Sequence, residues 1–266
     1  MESIHPAGLG PALPVAAPRA GVGAVRLIQV IGEIPHETYA EAFVGMGGVF
    51  LRRPSPARFE VINDWSLDVA TFFRILQRHY VAFLEMLRFQ LTTRAEFDRL
   101  AATDPATLTD LERAARFLYL QRTAFGGKVV GRNFAMDGGR RLARFDVTRL
   151  QPLLEDVHAR LAGVVIERLP FADFIRRYDS PATLFYLDPP YLGSERQYGA
   201  APGMFAGDDH QVLAGVLREI RGRFVLSIND CAETRQIYAG FDLEPVGTHY
   251  GVQGGAAAAR ELIIRN

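Results

Sequence analysis

Leu184-Phe185-Tyr186-Leu187-Asp188-Pro189-Pro190-Tyr191 is an apolar run of strand formers that stops at an acid, two prolines and an aromatic ring. Proline has no N–H and a fixed φ, so the pair ends ladder hydrogen bonding and stiffens the tip. The run reads as a buried strand that leaves Asp188 at its carboxyl end, where open α/β sheets place their ligands. Two acceptors stand close together on that turn, the Asp188 carboxylate and the Pro189 carbonyl. The exocyclic amine of adenine is a poor nucleophile because its lone pair is delocalised into the ring. Acceptors at both of its N–H bonds would hold that lone pair toward an electrophile, and Tyr191 offers a flat face to an extruded base. On D-P-P alone, a simple proline turn capped by Asp188 is an equal reading.

Upstream, Tyr39 to Phe50 reads as a strand breaking into a glycine-rich turn that holds Gly45, Gly47 and Gly48. A second strand, Phe59 to Ile62, ends at Asn63-Asp64. Glycines let backbone approach a ligand, and an acid about 20 residues beyond such a loop accepts from ribose hydroxyls. Asp64 lies 19 residues after Gly45, and Asn63 reads as structural. A helix over 25–34 ends before Pro35. The spacing of Val69, Phe72, Phe73, Leu76, Tyr80, Phe83, Leu84 and Leu87 predicts one long amphipathic helix. Capping-box patterns at Thr93–Glu96 and Thr109–Glu112 head two more, the second ending before Gly126. Helix 147–161, strand 164–166, a helix from Pro170, helix 210–220, strand 224–227, helix 233–238 and strand 261–264 complete an alternating α/β series. Phe171 and Asp173 sit just past a strand end, as borders for a cofactor ring or as a core ring and a first-turn acid. Residues 193–207 are glycine-rich and suit a lid.

The chain has 266 residues, enough for one large domain, and its 48% hydrophobic and 23% charged content is that of a soluble globular protein. A single cysteine, Cys231, excludes an internal disulfide, and the histidines lack ligand spacing, so no metal is expected. No apolar run is long enough to span a bilayer and no export signal opens the chain. A cytoplasmic monomer without membrane contact is expected. Net charge is zero, yet residues 113–149 hold nine basic residues against two acids, so the rest of the chain is equally acidic. Such a face engages phosphate, although a solvated arginine-rich surface also accounts for it. Within it, Phe125-Gly126-Gly127-Lys128-Val129-Val130-Gly131-Arg132-Asn133-Phe134 carries the chain's only lysine. A loop of this kind tracks a backbone or reads base edges, and as a bland alternative is a soluble hairpin.

The F-x-G-x-G string Phe43–Gly47, Asp64, the basic helical stretch and D-P-P-Y follow one another in an order that resembles the Dam-like DNA adenine methyltransferases of phage and prophage type. The likeness runs from about Ile34 to the C-terminus. It implies a Rossmann-like α/β sheet with a helical DNA-recognition insertion, an S-adenosylmethionine cofactor, double-stranded DNA as partner and methylation of an adenine amino group. By that likeness Asp188 and Pro189 hold the amino group and Tyr191 stacks on the base. Glu41, Phe43, Gly45, Gly47, Asp64, Phe171 and Asp188 border the cofactor, with Glu41 toward its methionine part and Asp64 on its ribose. Arg122, Lys128, Arg132 and Asn133 contact DNA. The implied division is an arm (1–20), a catalytic domain (21–74 and 150–266) and a target-recognition insertion (75–149). The family's G-G-K string is absent: Arg19 to Arg26 holds no lysine, leaving Arg26 as the replacement cation, and the E-P-F string reads Glu41-Ala42-Phe43. Two further readings stay open, a relative that binds DNA without turnover and a methyltransferase acting on an RNA or protein amine.

Overall fold

The computed structural model describes residues 24–124, 134, 145–193, 205–249 and 258–266. The expected arm, most of the expected lid, and Lys128, Arg132 and Asn133 lie outside the described residues.

The strands are β1 (Thr38–Glu41), β2 (Phe59–Asn63), β3 (Val165–Glu167), β4 (Thr183–Leu187), β5 (Arg223–Asn229), β6 (Asp242–His249) and β7 (Ala258–Arg265). They form one seven-stranded sheet in the order β3-β2-β1-β4-β5-β7-β6. β1 to β5 are parallel, and β7 runs antiparallel between β5 and β6. From β1 the chain works outward through β2 and β3, then returns to the other side of β1 with β4. That reversal makes the β1/β4 boundary the topological switch point, and ligands of such sheets bind beyond the carboxyl ends of the strands there. The glycine turn and the D-P-P-Y turn leave from those two ends.

Alternation along each strand sorts its side chains onto two faces. Tyr39, Ile62, Leu184, Tyr186, Val225 and Ile263 share one apolar cluster with α1 (Ala24–Glu33), α2 (Leu67–Arg78), α3 (Tyr80–Arg88), α4 (Arg94–Ala102), α5 (Asp110–Thr123) and α6 (Val147–Arg160). Ala40, Val61, Phe185, Leu187, Phe224 and Leu226 pack on the other face with Phe174 of α7 (Phe171–Tyr178), Leu213 and Leu217 of α8 (Asp209–Glu219), and Tyr238 after α9 (Ala232–Ile237). Two positions from the first set, the same alternation aims Glu41, Asp188, Ser227 and Glu261 toward the α1–α6 layer.

Two expectations change. The single long helix is two, because His79 (φ −127°, ψ 32°) leaves helical geometry between α2 and α3. The jog brings Phe83 to Phe72 (ring centroids 6.1 Å apart), and Phe72 meets Phe117 of α5 at 5.6 Å. The edge strand β6 was not expected, because Pro245 and Gly247 interrupt its pattern; an edge tolerates proline since one side of the strand needs no donor. The Thr109 capping box forms fully, with reciprocal bonds to Glu112, whereas at Thr93 only the hydroxyl half forms and Glu96 turns to Gln90 and Arg99. Thr109→Ala is expected to cost about 1 kcal/mol in urea denaturation, with Thr109→Ser restoring it, since an N-cap hydroxyl stabilises by that order.

Candidate active site

The glycine turn begins where β1 stops. Gly45 and Gly47 take φ of +49° and +73°, a region that side chains disfavour, and a Cβ on Gly47 would stand 2.9 Å from Leu51 Cγ. Asp64, at the end of β2, ties this turn down. Its Oδ2 accepts from the Gly45 N–H at 2.9 Å and its Oδ1 from the Ser66 N–H at 2.8 Å. Asn63 donates to the carbonyls of Ala42 and Leu169 and accepts from the Leu169 N–H, stitching β1, β2 and the loop before α7 together. Its role is structural, as expected.

Glu41, on the last residue of β1, is 1% exposed, and its Oε2 accepts from the Tyr39 hydroxyl at 2.6 Å. Arg53 lies over the Tyr39 ring at 3.7 Å and pairs with buried Glu60, which also holds Arg160. Phe43, Phe171 and Phe205 form a ring triangle with centroids 5.4 to 5.9 Å apart. Asp173, by contrast, is an exposed first-turn acid paired with Arg176.

Around the D-P-P-Y turn, side chains from three distant elements converge. Ser227 of β5 donates to Asp188 Oδ1 at 3.0 Å, and the Tyr186 hydroxyl sits 3.0 Å from the Ser227 oxygen. His210 of α8, fully buried, lies with Nε2 3.1 Å from the Pro190 carbonyl and Nδ1 3.2 Å from the Tyr238 hydroxyl. A carbonyl only accepts, so Nε2 carries the proton and Nδ1 accepts from Tyr238. Glu261 of β7 accepts from the Tyr191 hydroxyl at 3.0 Å. Asn229 closes both sides of the Leu192 peptide, accepting from its N–H and donating to its carbonyl. None of these five partners was singled out from sequence. Each lies 20 residues or more from the turn it holds apart from Tyr186, and strand pairing, or for His210 the packing of α8, brings them there.

The electrostatics follow from crowding. Burial pushes Glu41 up to about 8, against the Tyr39 bond and Arg53, with Asp188 adding repulsion. Asp64 is pushed up to about 6 by burial, opposed by the Ser66 and Gly45 N–H groups. Asp188 is pushed up to about 7 by the protein packed around its carboxyl group, opposed by Ser227 and reinforced by Glu261. Water also reaches Asp188, an exposed residue, which offsets part of that crowding. Among the described residues, none of these three carboxyl groups forms an ion pair, and no group of three metal-ligating side chains is assembled. Carboxyl groups on three strand ends with no paired cation suit a positively charged ligand.

Arg122 lies on the last turn of α5, half-buried. Arg26, the cation nearest the altered N-terminal string, is held by Glu244 at 2.8 Å. No helix among the described residues is long and apolar enough to cross a membrane.

A family model for the D12 class N6 adenine-specific DNA methyltransferases matches residues 25–252. The chain is 20% identical over 208 residues to a type II methyltransferase, M.CviBI, of Paramecium bursaria Chlorella virus NC1A, covering 77% of each. Among solved structures it is similar to a provisionally named RNA methyltransferase of Pyrococcus horikoshii (TM-score 0.40, 9% identity, covering 91% of this chain and 81% of that one). It is also similar to precorrin 8W decarboxylase of Methanobacterium thermoautotrophicum (TM-score 0.38, 10% identity, covering 91% and 88%).

Proposed function

The chain belongs to the D12 class N6 adenine-specific DNA methyltransferase family, and we propose that the D-P-P-Y turn and the glycine turn carry its reaction. The observation that carries it is the clamped D-P-P-Y turn at the switch point beside the glycine turn. An adenine flipped from double-stranded DNA stacks on Tyr191, while Asp188 and the Pro189 carbonyl accept from the two N–H bonds of its amino group. Accepting both turns the nitrogen lone pair out of conjugation and toward the cofactor side. S-adenosylmethionine, when bound, supplies a methyl group on a positively charged sulfur. Glu41 and Asp188 face that charge, Asp64 accepts from the ribose hydroxyls, the Phe43–Phe171–Phe205 triangle is apolar wall for a ring, and Gly45 and Gly47 allow close backbone approach. Catalysis is then positioning and electrostatics. Residues 75–149 carry target recognition, with Arg122, Lys128, Arg132 and Asn133 on the DNA. The type II description of the viral relative supports a site-specific reaction.

Incubation with labelled S-adenosylmethionine and unmethylated DNA, followed by nucleoside analysis and mapping of modified positions, is expected to yield N6-methyladenine at one short sequence. Label in protein or RNA and none in DNA would overturn the reading.

The three raised carboxyl groups also set a pH dependence. An acid whose pKa is raised keeps its proton to higher pH, and a cationic ligand favours the ionised form, so binding expels protons. Cofactor affinity is therefore expected to rise with pH through the range from about 6 to about 8 spanned by Asp64, Asp188 and Glu41. Calorimetry in buffers of different ionisation enthalpy measures the released protons directly, and pH-independent affinity would contradict the assignment.

A further inference from the structure

Resting on that reading, we propose that Ser227, oriented by the Tyr186 hydroxyl, is a positioning residue that occupies Asp188 Oδ1 and so reserves Oδ2 for the amino group of the substrate base. A carboxylate that is free to rotate offers either oxygen, and an acceptor shared between two donors at one oxygen is poorly aimed. Ser227 removes that ambiguity. Its single hydroxyl proton goes to Asp188 Oδ1 at 3.0 Å, because an ionised carboxylate only accepts. The Ser227 oxygen is then left as acceptor for the Tyr186 hydroxyl at 3.0 Å. The chain Tyr186 to Ser227 to Asp188 therefore runs in one direction while Asp188 is ionised. Both hydroxyls are buried, with Tyr186 1% and Ser227 2% exposed, so water does not compete for them.

Strand alternation builds this relay. Tyr186 lies two residues before Asp188 on the same face, and Ser227 comes from the adjacent strand, whose Leu226 is paired with Leu187. The charged and titratable groups bearing on the Asp188 carboxyl are Tyr186 of β4, Glu41 of β1 and Glu261 of β7. Ser227 favours its ionised form and Glu261 opposes it. The two neighbours thus act in opposite senses on one group, and only the pairing of those shifts with the transfer rate separates positioning from a structural bond.

The test is single-turnover methyl transfer from labelled S-adenosylmethionine to unmethylated DNA, followed on both sides of neutral pH. It is paired with NMR titration of the Asp188 carboxyl in the free protein. Ser227→Ala is expected to lower the transfer rate about ten- to hundredfold, the order lost with a hydrogen bond to a charged group, with DNA affinity unchanged. The acid limb of its profile should move to higher pH. Ser227→Thr restores rate and limb, Tyr186→Phe gives a smaller shift in the Ser227→Ala direction, and Glu261→Gln moves the limb to lower pH. The NMR midpoints should shift with the same signs. Wild-type rate and midpoint in Ser227→Ala, or shifts of one sign in Ser227→Ala and Glu261→Gln, would overturn the relay. If the native enzyme leaves DNA adenine unmodified while the NMR midpoints still move oppositely, the functional reading fails and the relay's part in transfer falls with it.

Discussion

Asp188→Ala is expected to lower methyl transfer by at least about 10²–10³-fold, the order seen when one preorganised hydrogen-bonding group is removed from a reacting centre. DNA binding should stay within a few-fold of wild type. The loss comes from geometry rather than folding. Without Oδ2 one N–H of the adenine amine has no acceptor, its lone pair stays conjugated with the ring, and the Ser227 hydroxyl loses the partner it has at 3.0 Å. Asp188→Asn does not rescue: an amide oxygen that accepts from Ser227 turns its NH2 toward the substrate NH2, donor against donor. Stability should move the other way. A carboxyl group whose pKa is raised to about 7 in the fold makes folding progressively less favourable as pH climbs from the ordinary carboxylate range toward that value. Above neutral pH the alanine variant should therefore melt no lower than wild type, as is common where a site is arranged for chemistry. Anisotropy with labelled DNA, a thermal melt and the methyl-transfer assay separate the three effects. Transfer at the wild-type rate would remove Asp188 from the mechanism.

The parts of the site that could be read along the chain are those whose chemistry is covalently local. The proline pair announces the end of β4, the glycines announce the bend after β1, and an acid follows β2 at the expected distance. What could not be read is whatever depends on which strand lies beside which. Ser227, Asn229 and Glu261 look like ordinary polar residues in or beside apolar runs until β7 is inserted antiparallel next to β5, which pairs Asn229 with Glu261. His210 looks like a helix residue until α8 packs it under the Pro190 carbonyl. The break at His79 carries no proline or glycine to betray it; tertiary packing of Phe72 and Phe83 overrides a continuous helical pattern. The spacing of Asp64 suggests a ligand acceptor but not the tie that shapes the glycine turn, because backbone N–H donors leave no trace in a sequence.

That double duty makes Asp64→Ala the second large effect. Both oxygens accept from backbone N–H groups, Oδ2 from Gly45 and Oδ1 from Ser66, so the residue holds the bend at the left-handed φ of Gly45. Each oxygen keeps a second lone pair, which a ribose hydroxyl can use without disturbing the backbone bonds. Alanine would remove the proposed ribose contact and release the bend together. Hydrogen bonds to a charged group contribute about 1.5–3 kcal/mol each, and losing one or two of them should weaken cofactor binding by about 10- to 10,000-fold in calorimetry. Saturating cofactor should return much of the transfer rate, since the role proposed for Asp64 is in binding the cofactor and not at the amine. Asp64→Asn is expected to do little better. Its amide can accept from only one of the two N–H groups and must turn NH2 toward the other, so the bend is strained even though the shape is kept. A fall in melting temperature with unchanged cofactor affinity would leave Asp64 as a loop tie alone. A fall in transfer rate that saturating cofactor does not repair would instead move Asp64 toward the chemistry.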